Sequence, residues 1–273
     1  MKNKKTMAWA AGIDIGSAFS KAVIVSGDGT IFYHVIASRG DYKGAAQKVM
    51  EEVLRKAGLK PQDIDVAVAT GIGAANVPFP SQHSAEIACQ ARGTKYLFPS
   101  ARTIIDIGDQ ASRVIKVDKE GRPTNFVVSE RCAAGSGRFL QVMARVLHVD
   151  VSEIGELSLK SKKPVTFGTN CAVFAESEAI SRVAEGASKE DILAGIHIAL
   201  AAKIHSMVER VGLEKDCVMT GGGAKDIGLV KSLEREIGGA LLVPTEPYIT
   251  GALGAWVIAH ESSMARQPES LPK

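Results

Sequence analysis

Two short runs of this sequence pair a carboxylate with a nearby glycine. Asp14 and Gly16 form the first pair, just before Ser17, and Asp106 and Gly108 form the second. A glycine lets the backbone approach a phosphate closely, so that bare N–H groups donate to its oxygens. The carboxylate would act through a magnesium ion and its waters. Either pair alone is more often an ordinary tight turn, because the tripeptide is common, so each is only a candidate site for phosphate and magnesium.

A third glycine-rich run, Gly221-Gly222-Gly223, follows a predicted strand and leads into a predicted helix, Ala224–Glu236. The N-terminus of a helix carries partial positive charge and unpaired N–H groups, so it suits a phosphate or the close packing of a flat base. An ordinary turn is again the alternative for this run on its own. Together with the two carboxylate–glycine pairs, the run favours nucleotide binding over three unrelated turns.

Two of the four cysteines, Cys132 and Cys171, stand just before predicted helices. A helix N-terminus lowers the pKa of a thiol and suits a thiolate bound to an anionic iron–sulfur cluster. A four-iron cluster normally has four thiolate ligands, so two such chains would complete one set. From spacing alone, core packing is the commoner role for a cysteine, and we expect it of Cys89 and Cys217. A disulfide between Cys132 and Cys171 is disfavoured in a reducing cytoplasm.

The elements around the first carboxylate–glycine pair recur around the second. The tetrapeptide Ile-Asp-Ile-Gly at 13–16 is repeated at 105–108, and each copy leads in register into a Ser-Lys or Ser-Arg pair and then a hairpin turn. Short strands followed by a helix and another strand form an α/β unit, so we predict a duplicated α/β protein with a cleft facing both turns. The predicted boundaries are 8–100 for a first lobe, 248–260 for a C-terminal helix that closes it, 101–247 for a second lobe with the cysteine helices and a late strand at 241–243, and 261–273 for a flexible tail.

The composition excludes several classes of protein. Of 273 residues, 45% are hydrophobic and 23% are charged, which is the balance of a globular domain rather than of a disordered or fibrous chain. A formal net charge of +3 without a basic stripe argues against nucleic acid as a partner. We expect no apolar run long enough to cross a membrane, and the basic start reads as a tail before a core strand rather than a signal peptide. The sequence therefore predicts a cytoplasmic protein.

The glycine motifs at 12–17, 106–108 and 220–225 resemble the two phosphate motifs and the adenosine motif of the superfamily of acetate and sugar kinases, heat-shock chaperone ATPases and actin. The resemblance implies a duplicated, ribonuclease-H-like α/β fold whose two lobes close on Mg-ATP. The small-residue run at 250–255 resembles the closing helix of that fold, where small side chains let two helices pack closely.

The segments at 131–140 and 170–178 resemble the two cluster motifs of the activators of 2-hydroxyacyl-CoA dehydratases and of benzoyl-CoA reductase ATPase subunits. This resemblance extends over nearly the whole chain. It implies that Cys132 and Cys171 each supply one ligand per subunit to a 4Fe–4S cluster shared with a homologous ATPase subunit, in a homodimer or a heterodimer. It also implies that ATP changes the angle between the cluster helices. An electron from ferredoxin or flavodoxin then passes to an acyl-CoA dehydratase or reductase.

These resemblances define the predicted site. The cofactors are ATP, Mg²⁺ and the shared 4Fe–4S cluster, whose protein ligands are Cys132 and Cys171. The candidate catalytic residues are Asp14, Asp106 and Gln110. The candidate ATP-binding residues are Gly16, Ser17, Lys21, Gly108, Gly221, Gly222, Gly223 and Lys225.

The second carboxylate–glycine pair departs from the pattern that is common in the activator family. That pattern is Asp-Ile-Gly-Gly-Gln-Asp with a lysine two residues on. Here Asp109 replaces the second glycine, Ala111 the later aspartate and Arg113 the lysine. A carboxylate beside a phosphate is unfavourable unless magnesium or Arg113 compensates for its charge. The departure puts ATP hydrolysis in question, and it favours a subunit of a heteromeric reductase over a homodimeric activator.

Two other functions compete with this interpretation. A small-molecule kinase of the same superfamily would need a substrate-binding insert and a catalytic base. The segment between the repeats offers only His83 and Glu86, and we expect a surface residue at a helix N-terminus for the first and a solvated helix charge for the second. A kinase also gives no role to the two cysteine motifs. A non-hydrolysing ATP sensor is the second alternative, and the altered segment from Asp109 to Ala111 permits it.

Overall fold

Two α/β units, each with its own sheet, make up the part of the chain that the computed structural model describes, residues 9–129, 135–168 and 172–266. Unit 1 runs up to Pro99 and resumes at Tyr248, and unit 2 runs from Ser100 to Pro247. The chain therefore leaves unit 1, completes unit 2, and returns to unit 1 with its last helix.

Unit 1 has a five-stranded sheet in the order β3-β2-β1-β4-β5. β1 pairs antiparallel with β2 and parallel with β4, and β2 and β3 form a hairpin. The strands are β1 (Trp9–Ile15), β2 (Phe19–Val25), β3 (Ile31–Ala37), β4 (Ile64–Thr70) and β5 (Gln82–His83). The helices are α1 (Tyr42–Ala57), α2 (Glu86–Leu97) and, at the end of the chain, α8 (Thr250–Ala265).

Apolar residues cover both faces of the unit 1 sheet. Successive side chains of a strand point to opposite faces, so Ile13 and Ile15 pack with Val49 of α1, whereas Ala10 packs with Trp256 of α8. The sheet is therefore buried between α1 on one face and α2 with α8 on the other.

Glycines let α8 lie very close to its neighbours. A Cβ at Gly12 of β1 would collide with the backbone of Ala252 and Trp256, and a Cβ at Gly254 would collide with the carbonyl of Cys89 in α2. The predicted close packing of this helix is confirmed. The helix continues to Ala265, so its predicted end at His260 is wrong, and residues 261–265 of the predicted flexible tail are helical.

Unit 2 repeats the order of the first four strands of the unit 1 sheet, as β8-β7-β6-β9. β6 pairs antiparallel with β7 and parallel with β9. The strands are β6 (Thr103–Ile107), β7 (Ser112–Val117), β8 (Pro123–Val128) and β9 (Cys217–Thr220). The helices are α3 (Gly137–Val146), α4 (Ile154–Ser158), α5 (Ala172–Ala184), α6 (Lys189–Val211) and α7 (Ile227–Ile237). The late strand predicted at 241–243 is reduced to one bridge, between Val218 and Leu242.

The core of unit 2 lies between its sheet and helices α3 to α7, with α6 at its centre. By length and composition α6 is apolar enough to cross a membrane, so the expectation that no run reaches that length is wrong. Of its most apolar stretch, 61% is buried within the protein, as in the core helix of a globular unit. Ile196, Leu200 and Ile204 are at most 1% exposed, which explains why the helix is so apolar.

Candidate functional site

The first carboxylate–glycine pair forms the turn between β1 and β2. The amide of Gly16 donates to the carbonyl of Phe19 over 3.0 Å, which closes the hairpin. Asp14 and Lys21 are cross-strand partners, and the Lys21 Nζ lies 2.9 Å from the Asp14 Oδ2. Ser17 lies at the turn and is half-buried. The turn thus brings four of the predicted residues together.

The second pair forms the equivalent turn between β6 and β7. The amide of Gly108 donates to the carbonyl of Ala111 over 3.0 Å. Asp106 and Arg113 are cross-strand partners, with 3.0 Å between the Arg113 Nη1 and the Asp106 Oδ2. Gln110 follows on the same turn with an exposed side chain. Each sheet therefore presents an aspartate, a cation and a glycine in the same arrangement.

The glycines of these turns act differently from the prediction. The N–H groups of Gly16 and Gly108 donate to carbonyls within their own hairpins, so they are not the bare phosphate donors that the sequence predicted. A Cβ at Gly16 would lie 2.8 Å from the Phe19 carbonyl oxygen, and one at Gly108 would lie 2.9 Å from that of Ala111. Both glycines are required because the hairpin closes too tightly for a side chain.

The run Gly221-Gly222-Gly223 lies against the second turn. Gly221 has a φ of +77°, and a Cβ there would lie 2.6 Å from the Asp106 Oδ1. Thr220, the cross-strand partner of Asp106, holds its Oγ1 3.4 Å from the same oxygen. Gly223 packs so closely on Ile107 that a Cβ would lie 2.5 Å from its side chain. Glycine is needed here for close approach to the carboxylate.

Unit 1 contains a matching loop that sequence reasoning missed. Thr70 is the cross-strand partner of Asp14, and Gly71 has a φ of +88° with its Cβ position 2.5 Å from the Asp14 Oδ1. Gly73 donates its N–H to the carbonyl of Ile15 over 2.9 Å. The pattern Thr-Gly-x-Gly, at 70–73 and again at 220–223, was the available signal. The long insertion of helices before the second copy hid it.

The helix predicted to follow the glycine run at Ala224 starts later in the structure. Residues Gly222–Lys225 form a 3-10 turn, and α7 begins only at Ile227. The carboxylate of Asp226 accepts hydrogen bonds from two N–H groups of the first turn of α7 and also from the buried His197. That helix end is therefore filled by a carboxylate of the protein itself. Lys225 forms an ion pair of 2.9 Å with Glu246.

The second turn is also hydrogen-bonded to α3. The amides of Gly137 and Arg138 donate to the carbonyls of Gly108 and Asp109, over 2.8 and 2.9 Å. The Gln141 Nε2 donates to the Asp109 Oδ1 over 3.0 Å. Asp109, whose charge was expected to disturb a phosphate, is thus held towards α3.

The predicted cluster ligands Cys132 and Cys171 lie outside the described residues. The described segments show that α3 begins at Gly137 and that α5 begins at Ala172, directly after Cys171. The other two thiols are buried, as predicted. Burial raises the pKa of Cys89, and it raises that of Cys217 to about 12, so both are inert thiols of the core. Within the described ranges no cluster of three or more His, Cys, Asp or Glu side chains could hold a metal ion.

Two sheets that share the order of four strands, each with an Asp-x-Gly hairpin beside a Thr-Gly-x-Gly loop, define the class of actin-like and sugar-kinase-like ATPases. A ROK family glucokinase from Streptomyces griseus shares this fold, with a TM-score of 0.58 and 11% identity over 93% of this chain and 100% of that one. The chain belongs to the BadF/BadG/BcrA/BcrD ATPase family, whose sequence model matches residues 11–259. The resemblance noted from the motifs is confirmed, and the protein is an ATPase-family enzyme.

Characterised relatives cover almost all of the chain. The 2-hydroxyisocaproyl-CoA dehydratase activator of Clostridioides difficile is 42% identical, over 96% of this chain and 98% of the relative. A benzoyl-CoA reductase subunit of Thauera aromatica is 36% identical, over 95% of this chain and 96% of the relative. The solved structure of the Clostridium difficile activator with bound ADPNP has a TM-score of 0.90 and 40% identity, over 97% of this chain and 99% of that one.

Proposed function

We propose that this chain is the ATP-hydrolysing component that delivers low-potential electrons to a 2-hydroxyacyl-CoA dehydratase or a benzoyl-CoA reductase. The observation that carries the proposal is the repeated hairpin with its aspartate, cation and glycine, in a chain related to dehydratase activators over nearly its full length. In the proposed function the protein works in the cytoplasm with ferredoxin or flavodoxin as donor.

The nucleotide residues divide into four roles. Asp14 and Asp106 supply the oxygen ligands that magnesium prefers, directly or through water. Lys21 and Arg113, each 2.9–3.0 Å from its aspartate, supply positive charge where phosphate oxygens would gather. Gln110 has an exposed side chain beside the second turn, from which it can orient an attacking water. Gly221 keeps side-chain atoms away from Asp106.

Cys132 and Cys171 are the proposed ligands of a 4Fe–4S cluster, two from each of two subunits. The donor chemistry fits, because α5 begins at the residue after Cys171 and its helix dipole favours a thiolate there. When bound, such a cluster supplies a one-electron redox centre. The chain's own part is to present two thiolates in positions that depend on α3 and α5.

Iron and sulfide analysis of the anaerobically purified chain tests this proposal. Wild type should contain about four irons per two chains. Cys132→Ala and Cys171→Ala should each lose the iron, the visible absorption and the EPR signal. Cys89→Ala and Cys217→Ala are the controls, because these buried thiols have no proposed ligand role. A wild-type chain that stays iron-free after anaerobic reconstitution, alone and with a related subunit, would overturn the electron-transfer function.

A non-hydrolysing ATP sensor is the second candidate, and Asp109 is the observation that favours it. The ATPase rate of the purified chain decides between them, since a sensor binds ATP without turnover. The kinase alternative has less support. Its candidate base, His83, is exposed on the two-residue strand β5. An identical partner subunit would indicate a homodimeric activator, and a homologous one would indicate a subunit of a heteromeric reductase. The mass of the assembled complex distinguishes the two.

A further inference from the structure

The second phosphate turn is attached to its unit differently from the first turn. Its two successive carbonyls, of Gly108 and Asp109, accept hydrogen bonds from the first two N–H groups of α3. In unit 1 the equivalent carbonyl, of Gly16, accepts a hydrogen bond from the hydroxyl of Ser38, the residue directly after β3, over 2.7 Å. The second turn is therefore bonded directly to the start of a helix, and the first to the end of a strand.

A side-chain contact adds to the attachment of the second turn. Gln141, one turn into α3, donates its Nε2 hydrogen to the Asp109 Oδ1 over 3.0 Å in a partly buried position. The acceptor is an ionised carboxylate, so this bond is stronger than one between neutral groups. The contact also directs the Asp109 charge at α3.

We propose that Asp109 and Gln141 form a positioning contact that couples the second phosphate turn to α3. A displacement of the turn on binding Mg-nucleotide is carried by this contact and the two backbone bonds to the start of α3, next to the segment that contains Cys132. The inference rests on the proposed function, since it requires a nucleotide at this turn. It assigns Asp109 a mechanical role in place of the unfavourable one that its charge suggested.

The packing of α3 explains why such a displacement would move the helix as a body. Phe139, Leu140 and Met143 are at most 4% exposed and belong to the core cluster of unit 2. Closely packed side chains transmit a shift rather than absorb it. The first turn of α3 also holds the backbone bonds to Gly108 and Asp109. The helix is thus attached both to the core and to the phosphate turn.

Hydrogen–deuterium exchange of the full chain tests the coupling. Peptides covering residues 135–146 are compared without nucleotide and with saturating Mg-ADPNP, while calorimetry confirms binding for each variant. Gln141→Glu places two carboxylates face to face and removes the donor. We expect its α3 amides to exchange about threefold to tenfold faster than those of wild type. We also expect the nucleotide-dependent change in α3, present in wild type, to be lost.

The double variant Asp109→Asn with Gln141→Glu restores a hydrogen bond with donor and acceptor exchanged. It should recover the nucleotide-dependent change, which a merely structural loss would not allow. Gln47→Glu is the matched control, because Gln47 of α1 also donates one side-chain hydrogen bond to a carboxylate, that of Glu51. That control should leave the exchange of α3 as in wild type.

Two outcomes would overturn the inference, and they are distinguishable. If Gln141→Glu binds nucleotide and shows the wild-type change in α3, the positioning role is wrong while the proposed function stands. If calorimetry detects no nucleotide binding by wild type, the proposed function fails and the coupling fails with it. Recovery by the double variant, with an unaffected control, supports the positioning contact.

Discussion

The two Asp-x-Gly turns have the same internal contacts and different attachments to the rest of their units. In each, an aspartate pairs with a cation across the hairpin and a glycine closes it, and a Thr-Gly-x-Gly loop packs on the aspartate. Outside the turn the units differ. The carbonyl of Gly16 is bonded to Ser38 at the end of a strand, and that of Gly108 is bonded to Gly137 at the start of a helix.

The equivalent serines show how this difference arose on one framework. Ser20 and Ser112 occupy the same position in the two hairpins. The hydroxyl of Ser20 bonds to that of Ser38 over 2.9 Å, and the hydroxyl of Ser112 donates to the carbonyl of Gly135, just before α3. The aspartate, cation and glycine are the same in kind in both hairpins, whereas the groups that hold the turn in place differ. In the proposed coupling, a nucleotide signal therefore leaves the site through unit 2.

The largest expected effect tests whether the two glycine loops are equally constrained. Gly71→Ala and Gly221→Ala each place a Cβ at positive φ and about 2.5 Å from a carbonyl oxygen of the neighbouring strand. Each should lower the free energy of unfolding by about 2–5 kcal/mol, measured by urea denaturation. Gly29→Ala is the control, since Gly29 has a φ of +87° and open space, so about 1–2 kcal/mol is expected. A loss at Gly71 no larger than at Gly29 would show that only one loop is tightly packed.

The next effect compares the two aspartates. Asp14→Asn and Asp106→Asn should each lower ATP hydrolysis by more than about 100-fold, because both carboxylates are proposed magnesium ligands. The stability cost should be greater for Asp106, because its carboxylate is 3% exposed against 12% for Asp14 and is therefore less screened by solvent, although Arg113 at 18% is more exposed than Lys21 at 12%. Steady-state ATPase rates and urea denaturation measure the two effects. Full activity in either variant would remove that turn from the magnesium site.

Features that depend on neighbouring residues were predicted from the sequence, and features that depend on distant contacts were not. The exact repeat of Ile-Asp-Ile-Gly predicted two hairpins because a strand, a tight turn and a partner strand are determined locally. The loop at 70–73 was missed because its equivalence to 220–223 depends on parallel pairing with a distant strand. The late start of α7 was missed because Asp226, which caps the helix, is held by a contact with the buried His197, 29 residues away in the sequence.

A smaller effect concerns the aspartates that cap one helix in each unit. In unit 2, the Asp226 carboxylate caps α7 and bonds to His197, which is fully buried. Asp226→Ala should lower the free energy of unfolding by about 2–3 kcal/mol, because it removes the cap and leaves the imidazole without that partner. Asp41→Ala is the matched control, since Asp41 caps α1 in unit 1 and should cost about 1 kcal/mol. Equal losses for the two variants would show that the His197 contact adds nothing.

The smallest expected effect compares how one aspartate stabilises the β2–β3 hairpin of unit 1 and how another stabilises the β7–β8 hairpin of unit 2. Hydrogen bonds from Ser26 and Thr30 lower the pKa of Asp28, whereas bonds to the amide and then the guanidinium of Arg122 lower that of Asp118. A lowered pKa in the folded state stabilises the protein above the ordinary value near 4, and this contribution disappears as the pH falls through the lowered pKa.

Asp28→Asn and Asp118→Asn should therefore both lower the urea midpoint at pH 7, and the difference from wild type should shrink below about pH 4. Added salt distinguishes the two hairpins. In about 1 M NaCl the Debye length falls to roughly 3 Å, so the ion pair with Arg122, an exposed side chain, is weakened. The effect of Asp118→Asn should then decrease while that of Asp28→Asn, which involves neutral donors, persists. Identical salt responses would mean that the charge of Arg122 does not stabilise the hairpin in unit 2.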